Sequence, residues 1–205
     1  MVNDSSLFFA IYGPLSMLRC TEEAHRRIAS VLSPGDGAID LTAGNGYDTL
    51  FLLRKVAPLG KVYAFDIQLT AIQKTADRCC SFGDSLRLIC QCHSRVRAFI
   101  PLDAMDRVGA VMANLGYLPG GDTGITTHDS TSVRAVRESL PFLRPGGIAS
   151  VICYRGHPGG EEETEAMMRF FAGLSEAEWE IGVTADALAH PVRPVWCWAQ
   201  RRSEG

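Results

Sequence analysis

The sequence predicts an α/β fold in which a mostly parallel sheet of seven strands carries helices on both faces. Three observations lead there. Short apolar runs suited to buried strands alternate with amphipathic stretches of helical period, the pattern of a parallel, doubly wound sheet. Several of the strand runs end in loops rich in glycine and polar residues, where an open α/β sheet binds its ligands. No repeat, low-complexity segment or internal linker interrupts the 205 residues, a length that a single domain with a sizeable core can fill.

The elements follow in order. Thr21 can cap a helix whose first turn holds Glu22 and Glu23 and which runs to about Val31, since carboxylates suit a helix N-terminus. Pro34-Gly35-Asp36-Gly37 is a turn, and Ala38-Ile39-Asp40-Leu41 the first strand. After the glycine turn Gly44-Asn45-Gly46, Tyr47 to Val56 reads as a helix with Leu50, Leu53 and Val56 on one side. Pro58-Leu59-Gly60 breaks it. Lys61–Asp66 is the second strand, Thr70 to about Cys80 a helix, and Leu86–Cys90 the third strand. The fourth, Val108-Gly109-Ala110-Val111-Met112, is apolar and short enough to be buried. Ser130 to Leu143 is helical, and Arg144-Pro145-Gly146-Gly147 turns into the strand Ile148–Tyr154. Glu161 to about Leu174 is a charged amphipathic helix whose Glu161, Glu162 and Glu163 read as solvated N-terminal charges. Strands near Trp179–Thr184 and Val195–Gln200 close the chain.

Composition sets limits. Hydrophobic residues make up 46% and charged residues 21%, ordinary for a globular domain. The net charge of −3 supplies no global field for nucleic acid, so any RNA contact must come from a local patch. Arg95, Arg97, Arg193, Arg201 and Arg202 are the candidates. The seven cysteines are odd in number and several lie in apolar runs, which suits reduced thiols in a cytoplasmic protein. Cys90-Gln91-Cys92-His93 has no second Cys/His pair at ligand spacing, and structural zinc wants four ligands, so no metal is expected. No stretch approaches the ~20 apolar residues of a membrane span. Leu7–Leu18 is apolar, broken by Pro14 and preceded by Asp4 rather than a basic segment. It is expected to form part of an N-terminal helical cap over residues 1–33.

Two loops carry the chemistry. The first strand ends in Asp40-Leu41-Thr42-Ala43-Gly44-Asn45-Gly46, and Asp66 closes the second. Glycines at a strand-to-helix turn let backbone approach a ligand, and a carboxylate one strand later accepts ribose hydroxyls. Together they indicate a cofactor that contains a nucleoside. A NAD fingerprint would want a third glycine where Thr49 stands. The Asp-x-x-x-Gly-x-Gly form instead resembles the S-adenosylmethionine signature of Rossmann-like class I methyltransferases, in which an acid at the place of Asp40 lies near the methionine amino group. Thr42 stands where that signature usually has its first glycine.

The second loop, Ala113-Asn114-Leu115-Gly116-Tyr117-Leu118-Pro119-Gly120-Gly121-Asp122, follows the fourth strand. Asn114-Leu115-Gly116-Tyr117 has the spacing of amino-methyltransferases. An amine nucleophile needs its N–H groups held by oxygens and its lone pair aimed at the methyl. Asn114 offers a carboxamide oxygen, and Tyr117 can stack on a base. An alkylamine has a pKa of about 10, so a base helps. Asp122, His157 and His93 are candidates between which the sequence does not choose. His157 sits in a second glycine-rich loop, Tyr154-Arg155-Gly156-His157-Pro158-Gly159-Gly160, on the same sheet edge.

These residues, with Tyr47-Asp48-Thr49-Leu50-Phe51-Leu52, Phe65-Asp66-Ile67-Gln68 and Ile125-Thr126-Thr127, resemble the MnmM (YtqB-type) methyltransferases, long labelled rRNA methylases. The resemblance runs from about Ala38 to the C-terminus. It implies S-adenosyl-L-methionine as donor and methylation of the 5-aminomethyl group of 2-thiouridine at the tRNA wobble position. It places Asn45, Asp48, Asp66 and Gln68 at the cofactor, and Asn114, Tyr117 and Asp122 facing the modified base. With the readings of the two loops, the candidate cofactor residues are Asp40, Thr42, Gly44, Asn45, Gly46, Asp48, Asp66, Gln68, His93 and Asn114, and the candidate catalytic residues Asn114, Tyr117, Asp122 and His157. The implied partner is the tRNA anticodon stem-loop, with a homodimer as a candidate assembly. Gln91-Cys92-His93-Ser94 departs from the family's acid followed by Gly-His-Glu, and Arg155 stands where the family often has His. The same constellation would serve an N-methyltransferase acting on another RNA or on a small-molecule amine. A scaffold binding cofactor or RNA without transfer would have no use for the Asn114–Tyr117 loop.

Overall fold

The structure of the protein, a computed structural model, describes residues 14–122, 124–184 and 193–203, with side chains from Cys20 onward. Seven strands form one sheet: β1 (Gly37–Asp40), β2 (Val62–Asp66), β3 (Leu86–Cys90), β4 (Val108–Leu115), β5 (Leu143–Cys153), β6 (Trp179–Val183) and β7 (Val195–Arg201). Their spatial order is β3-β2-β1-β4-β5-β7-β6. The first five run parallel, and β7 lies antiparallel to both β5 and β6. Among the described residues, six α-helices accompany them: α1 (Pro14–Val31), α2 (Tyr47–Val56), α3 (Leu69–Arg78), α4 (Val96–Phe99), α5 (Asp129–Ser139) and α6 (Gly160–Ala172).

Alternate residues of a central strand face opposite sides of the sheet. Val111 and Ala113 pack with Val136 and Phe171 in one core, under α5 and α6. Ala110 and Met112 pack with Ile28, Leu52 and Leu53 in the other, under α1 and α2. Near-continuous apolar strands are what a sheet covered on both faces requires. Cys20, Ala24 and Ile28 share one face of α1; the first two meet Ile152 and Trp196 of the sheet.

The structure moves several expected boundaries. The first described helix starts at Pro14, whose fixed φ suits a first helical position. Thr21 therefore lies inside α1 and caps nothing; the part of Leu7–Leu18 before residue 14 lies outside the described residues. On α2, Thr49, Leu52, Leu53 and Val56 are buried, and Leu50 is half-buried. The expected turn Arg144–Gly147 is a bulge within β5: Leu143 pairs with Val108 and Ile148 with Ala110. Gly146 there has φ 77°, and a Cβ on Gly147 would lie 3.0 Å from the Val108 carbonyl. Among the cysteines, burial pushes the Cys20 thiol up to about 12, and such a thiol is unreactive.

Topology sorts the candidate arginines. Because β1, β2, β4 and β5 are parallel, Asp40, Asp66, Leu115 and Cys153 all end on one edge. Arg95 and Arg97 follow β3 on that edge, and Arg193 precedes β7 there. β7 runs the other way, with Val195 opposite Cys153 and Gln200 opposite Ile148. Arg201 and Arg202 thus emerge at the opposite edge, where Arg201 bonds Asp106 and the Leu143 carbonyl. They are not placed to contact a ligand at the strand carboxyl ends.

Candidate active site

A cavity of about 350 Å³ opens at the carboxyl edge of β1, β2 and β4, within the size of small-molecule sites. The glycine loop forms one wall. Gly44 (φ 55°) and Gly46 (φ 82°) both lie in the left-handed region, and a Cβ on Gly46 would sit 2.9 Å from Thr75 Cα. Only glycine turns the chain here without strain. Asp66 receives the Gly44 N–H on one carboxylate oxygen at 3.0 Å and the Gln68 N–H on the other at 2.8 Å. Each oxygen keeps a further acceptor site. Asn45 Nδ2 reaches the Pro119 carbonyl at 3.2 Å and ties this loop to the one after β4.

Asp40 lies behind the wall, 1% exposed. It accepts the Thr42 N–H at 3.0 Å and the Thr49 hydroxyl at 2.6 Å. Burial, then the nearby Asp48 charge, push its carboxyl up to about 7. Thr42, where a glycine is usual, accepts the Asn114 backbone N–H on its hydroxyl at 2.8 Å and so joins the two loops.

Asp48 and Asn114 both face the cavity. His25 of α1 bonds one oxygen of Asp48 at 2.7 Å, and its ring stacks on Phe51 with centroids 4.0 Å apart. The other oxygen takes the Asn114 side-chain N–H. Asn114 Oδ1 is buried and has no hydrogen-bond partner among the described residues. A carboxylate only accepts, so the Asn114 NH₂ must face Asp48 and its carbonyl oxygen must face away.

The β4 loop brings Tyr117 onto the wall, where it bridges Thr126. Asp122 does not join it. It is exposed and accepts the Gly124 N–H at 2.8 Å, closing its own turn outside the cavity. His157 packs edge-on to Tyr117 at 6.3 Å and is not part of the wall. Its Nδ1 lies 3.1 Å from the Pro158 carbonyl, which requires a proton on Nδ1, and its buried Nε2 has no hydrogen-bond partner among the described residues. Arg155 is paired with Glu161 at 2.8 Å.

His93 lines the cavity, and both its ring nitrogens turn toward protein atoms. Nδ1 meets the Leu41 carbonyl at 3.1 Å, and Nε2 lies 3.4 Å from the Ser132 hydroxyl. Burial lowers its pKa, so the imidazole is neutral with its proton on Nδ1. Ser132 donates to Glu163 at 2.6 Å, and Thr127 donates to the other Glu163 oxygen at 2.7 Å. Glu163 is 1% exposed; the expectation of a solvated helix charge is wrong. It lies on the inward face of α6 with Thr164 and Met167, and the loop carrying Thr127 covers it.

The cavity therefore assembles Thr42, Gly44, Asn45, Asp48, Asp66, Gln68, His93, Asn114 and Tyr117. Asp40 and Gly46 support it from behind, and Asp122 and His157 stay off the wall. Sequence reasoning missed His25, Thr49 and the Ser132–Glu163–Thr127 cluster. Helical spacing could have flagged Glu163: Gly160, Thr164, Met167 and Phe171 on the same face are all buried.

A profile of the family described as "Putative rRNA methylase" matches residues 62–199. The tRNA (mnm(5)s(2)U34)-methyltransferase of Arabidopsis thaliana chloroplasts is 38% identical over 194 residues, covering 90% of this chain and 70% of that one. A "putative rRNA-methylase" from Clostridium thermocellum superposes with a TM-score of 0.82 at 32% identity, covering 89% of this chain and 97% of that one. A Streptococcus mutans methyltransferase in complex with SAH gives 0.77 at 27% identity, with the same coverages. Fold, motifs and relatives agree, and the chain belongs to this rRNA methylase family of S-adenosylmethionine-dependent methyltransferases.

Proposed function

We propose that the protein transfers a methyl group from S-adenosylmethionine to the exocyclic amine of 5-aminomethyl-2-thiouridine at the wobble position of tRNA. One observation carries the reading: Asn114, a residue on the wall of a cavity built for a nucleoside cofactor, has a buried Oδ1 without a partner among the described residues.

The residues present fit that cofactor. Asp66 is held by two backbone N–H groups and has acceptor sites left for the two ribose hydroxyls. The left-handed turn at Gly44 and Gly46 lets the backbone approach the ligand without a side chain between. Asp48 supplies negative charge beside a donor that carries a sulfonium and an ammonium. When bound, the cofactor supplies an activated methyl group on sulfur.

Asn114 accepts one N–H of the acceptor amine on Oδ1. Asp48 fixes which end of the amide faces the cavity, and His25 fixes Asp48. Tyr117 flanks the base. An in-line displacement gains most from this kind of positioning. The wobble base lies in a single-stranded loop and can be splayed into a pocket at low cost. The Arabidopsis relative's name supports this substrate, as do Arg95, Arg97 and Arg193 on the sheet edge at which the cavity opens.

The test is methyl transfer from labelled S-adenosylmethionine to tRNA from cells lacking this gene, followed by nucleoside mass analysis. A methyl gain on 5-aminomethyl-2-thiouridine is expected. A gain on a different nucleoside would discard the substrate and keep the mechanism. Cofactor binding without any gain would discard both.

A further inference from the structure

The candidate bases of the sequence leave the amine without one on the cavity wall: Asp122 is exposed outside it, His157 packs behind Tyr117, and His93 turns Nδ1 to the Leu41 carbonyl and Nε2 toward Ser132. A different group is in place. Thr127 stands on the wall, and its backbone N–H bonds the Gly116 carbonyl at 2.9 Å, two residues after Asn114. Its hydroxyl hydrogen points away from the cavity, onto Glu163 at 2.7 Å. The hydroxyl oxygen is then left with its lone pairs as an acceptor. Glu163 makes no ion pair with Lys or Arg among the described residues, and its second oxygen is held by Ser132 at 2.6 Å. The groups that bear on its charge are His157 of the loop after β5, His128 before α5, and Cys153 of β5; His93 lies beyond Ser132.

We infer that Glu163, acting through the Thr127 hydroxyl, takes the proton that the acceptor amine must lose before it is methylated. The inference rests on the proposed amine substrate. The amine enters as an ammonium, with a pKa of about 10. One proton moves from its nitrogen to Thr127 Oγ1 while the hydrogen already on that oxygen moves to Glu163 Oε2. The freed lone pair forms the N–C bond, the C–S bond breaks, and its electron pair stays on sulfur. The product leaves as a secondary ammonium, and the single proton held by Glu163 returns through the same hydroxyl to solvent. Thr127 and Asn114 thus present two acceptor oxygens to the nitrogen, each turned toward it by a carboxylate behind, Glu163 and Asp48. Burial raises the Glu163 pKa, which favours proton uptake at neutral pH.

The experiment is single-turnover methyl transfer to tRNA bearing 5-aminomethyl-2-thiouridine, from mildly acidic to strongly alkaline pH, with wild type, E163Q, T127V and T127S. E163Q and T127V should lose about 10²-fold at neutral pH, the scale of a proton-transfer contribution. That loss should shrink toward pH ~10, where solvent deprotonates the amine unaided. T127S keeps the hydroxyl and should stay near wild type, and calorimetric affinity for S-adenosylmethionine should not change in any variant. A deficit that is constant across pH would mark Glu163 as merely structural and overturn the inference, as would E163Q and T127V profiles that superimpose on wild type. If E163Q does not fold, the T127V and T127S pair decides alone by the same criteria. Wild type inactive on this tRNA would overturn the substrate reading; active wild type with unchanged variants overturns only the proton route.

Discussion

At the scale of the residue, the site separates binding from turnover. Asp66 touches only the cofactor side, so Asp66→Ala should abolish S-adenosylmethionine binding in calorimetry. Asn114→Ala should leave that affinity nearly intact and lower the transfer rate by roughly 10²-fold, the loss expected when a positioned polar partner is removed. Asp40 makes a pH prediction. An unfolded chain leaves this carboxyl ionised above about 4, whereas the fold keeps it protonated up to about 7. Between those limits the folded state binds more protons, so stability falls as pH rises through that window. Burial drives Glu163 in the same direction. Asp40→Asn should therefore flatten, without abolishing, the decline in urea midpoint of the ligand-free protein between about pH 4.5 and 7.5.

At the scale of the element, α1 does two jobs at once. Its Ile28 is fully buried against Leu52, Leu53 and Met112, and Ile28→Ala should destabilise by about 2 to 5 kcal/mol through lost contacts and the cavity left behind, measured by chemical denaturation. Its His25 reaches the site through Asp48. This second link could not be read from the chain, because His25 and Asp48 are 23 residues apart and no local spacing relates them. The glycine loop was legible, since its glycines and terminal acid recur at a spacing that the turn dictates. Its rigidity is tertiary: Gly46→Ala must both hold φ at 82° and displace the backbone of α3 at Thr75, and it should lose cofactor affinity together with stability.

At the scale of the whole molecule, charge and topology decide how an RNA is met. The net charge is −3, and many arginines are engaged in ion pairs, such as Arg27 with Glu180 and Arg144 with Asp36. Arg95, Arg97 and Arg193 lie on the sheet edge at which the cavity opens. With a single-stranded loop as ligand, about three phosphate contacts correspond to a slope near −2 in log affinity against log salt. A slope of about that size is expected in filter binding. A much steeper one would mean that a wider basic surface takes part.

The sequence alone determined the α/β class, the seven strands, the glycine loop with Asp66, and the Asn114–Tyr117 loop. These are local patterns, in which periodicity and turn chemistry act within a few residues of one another. Only the tertiary structure decided which polar side chains share the cavity. It set Asp122 outside and His157 behind Tyr117, sent Arg201 and Arg202 to the far edge, and buried Glu163 beneath Thr127. The physical reason is that strand order and direction set who meets whom. A carboxylate at a helix N-terminus suits water and core alike until facing elements supply hydroxyls that make its burial affordable, and those hydroxyls, Ser132 of α5 and Thr127 of the loop before it, lie 31 and 36 residues away in the chain.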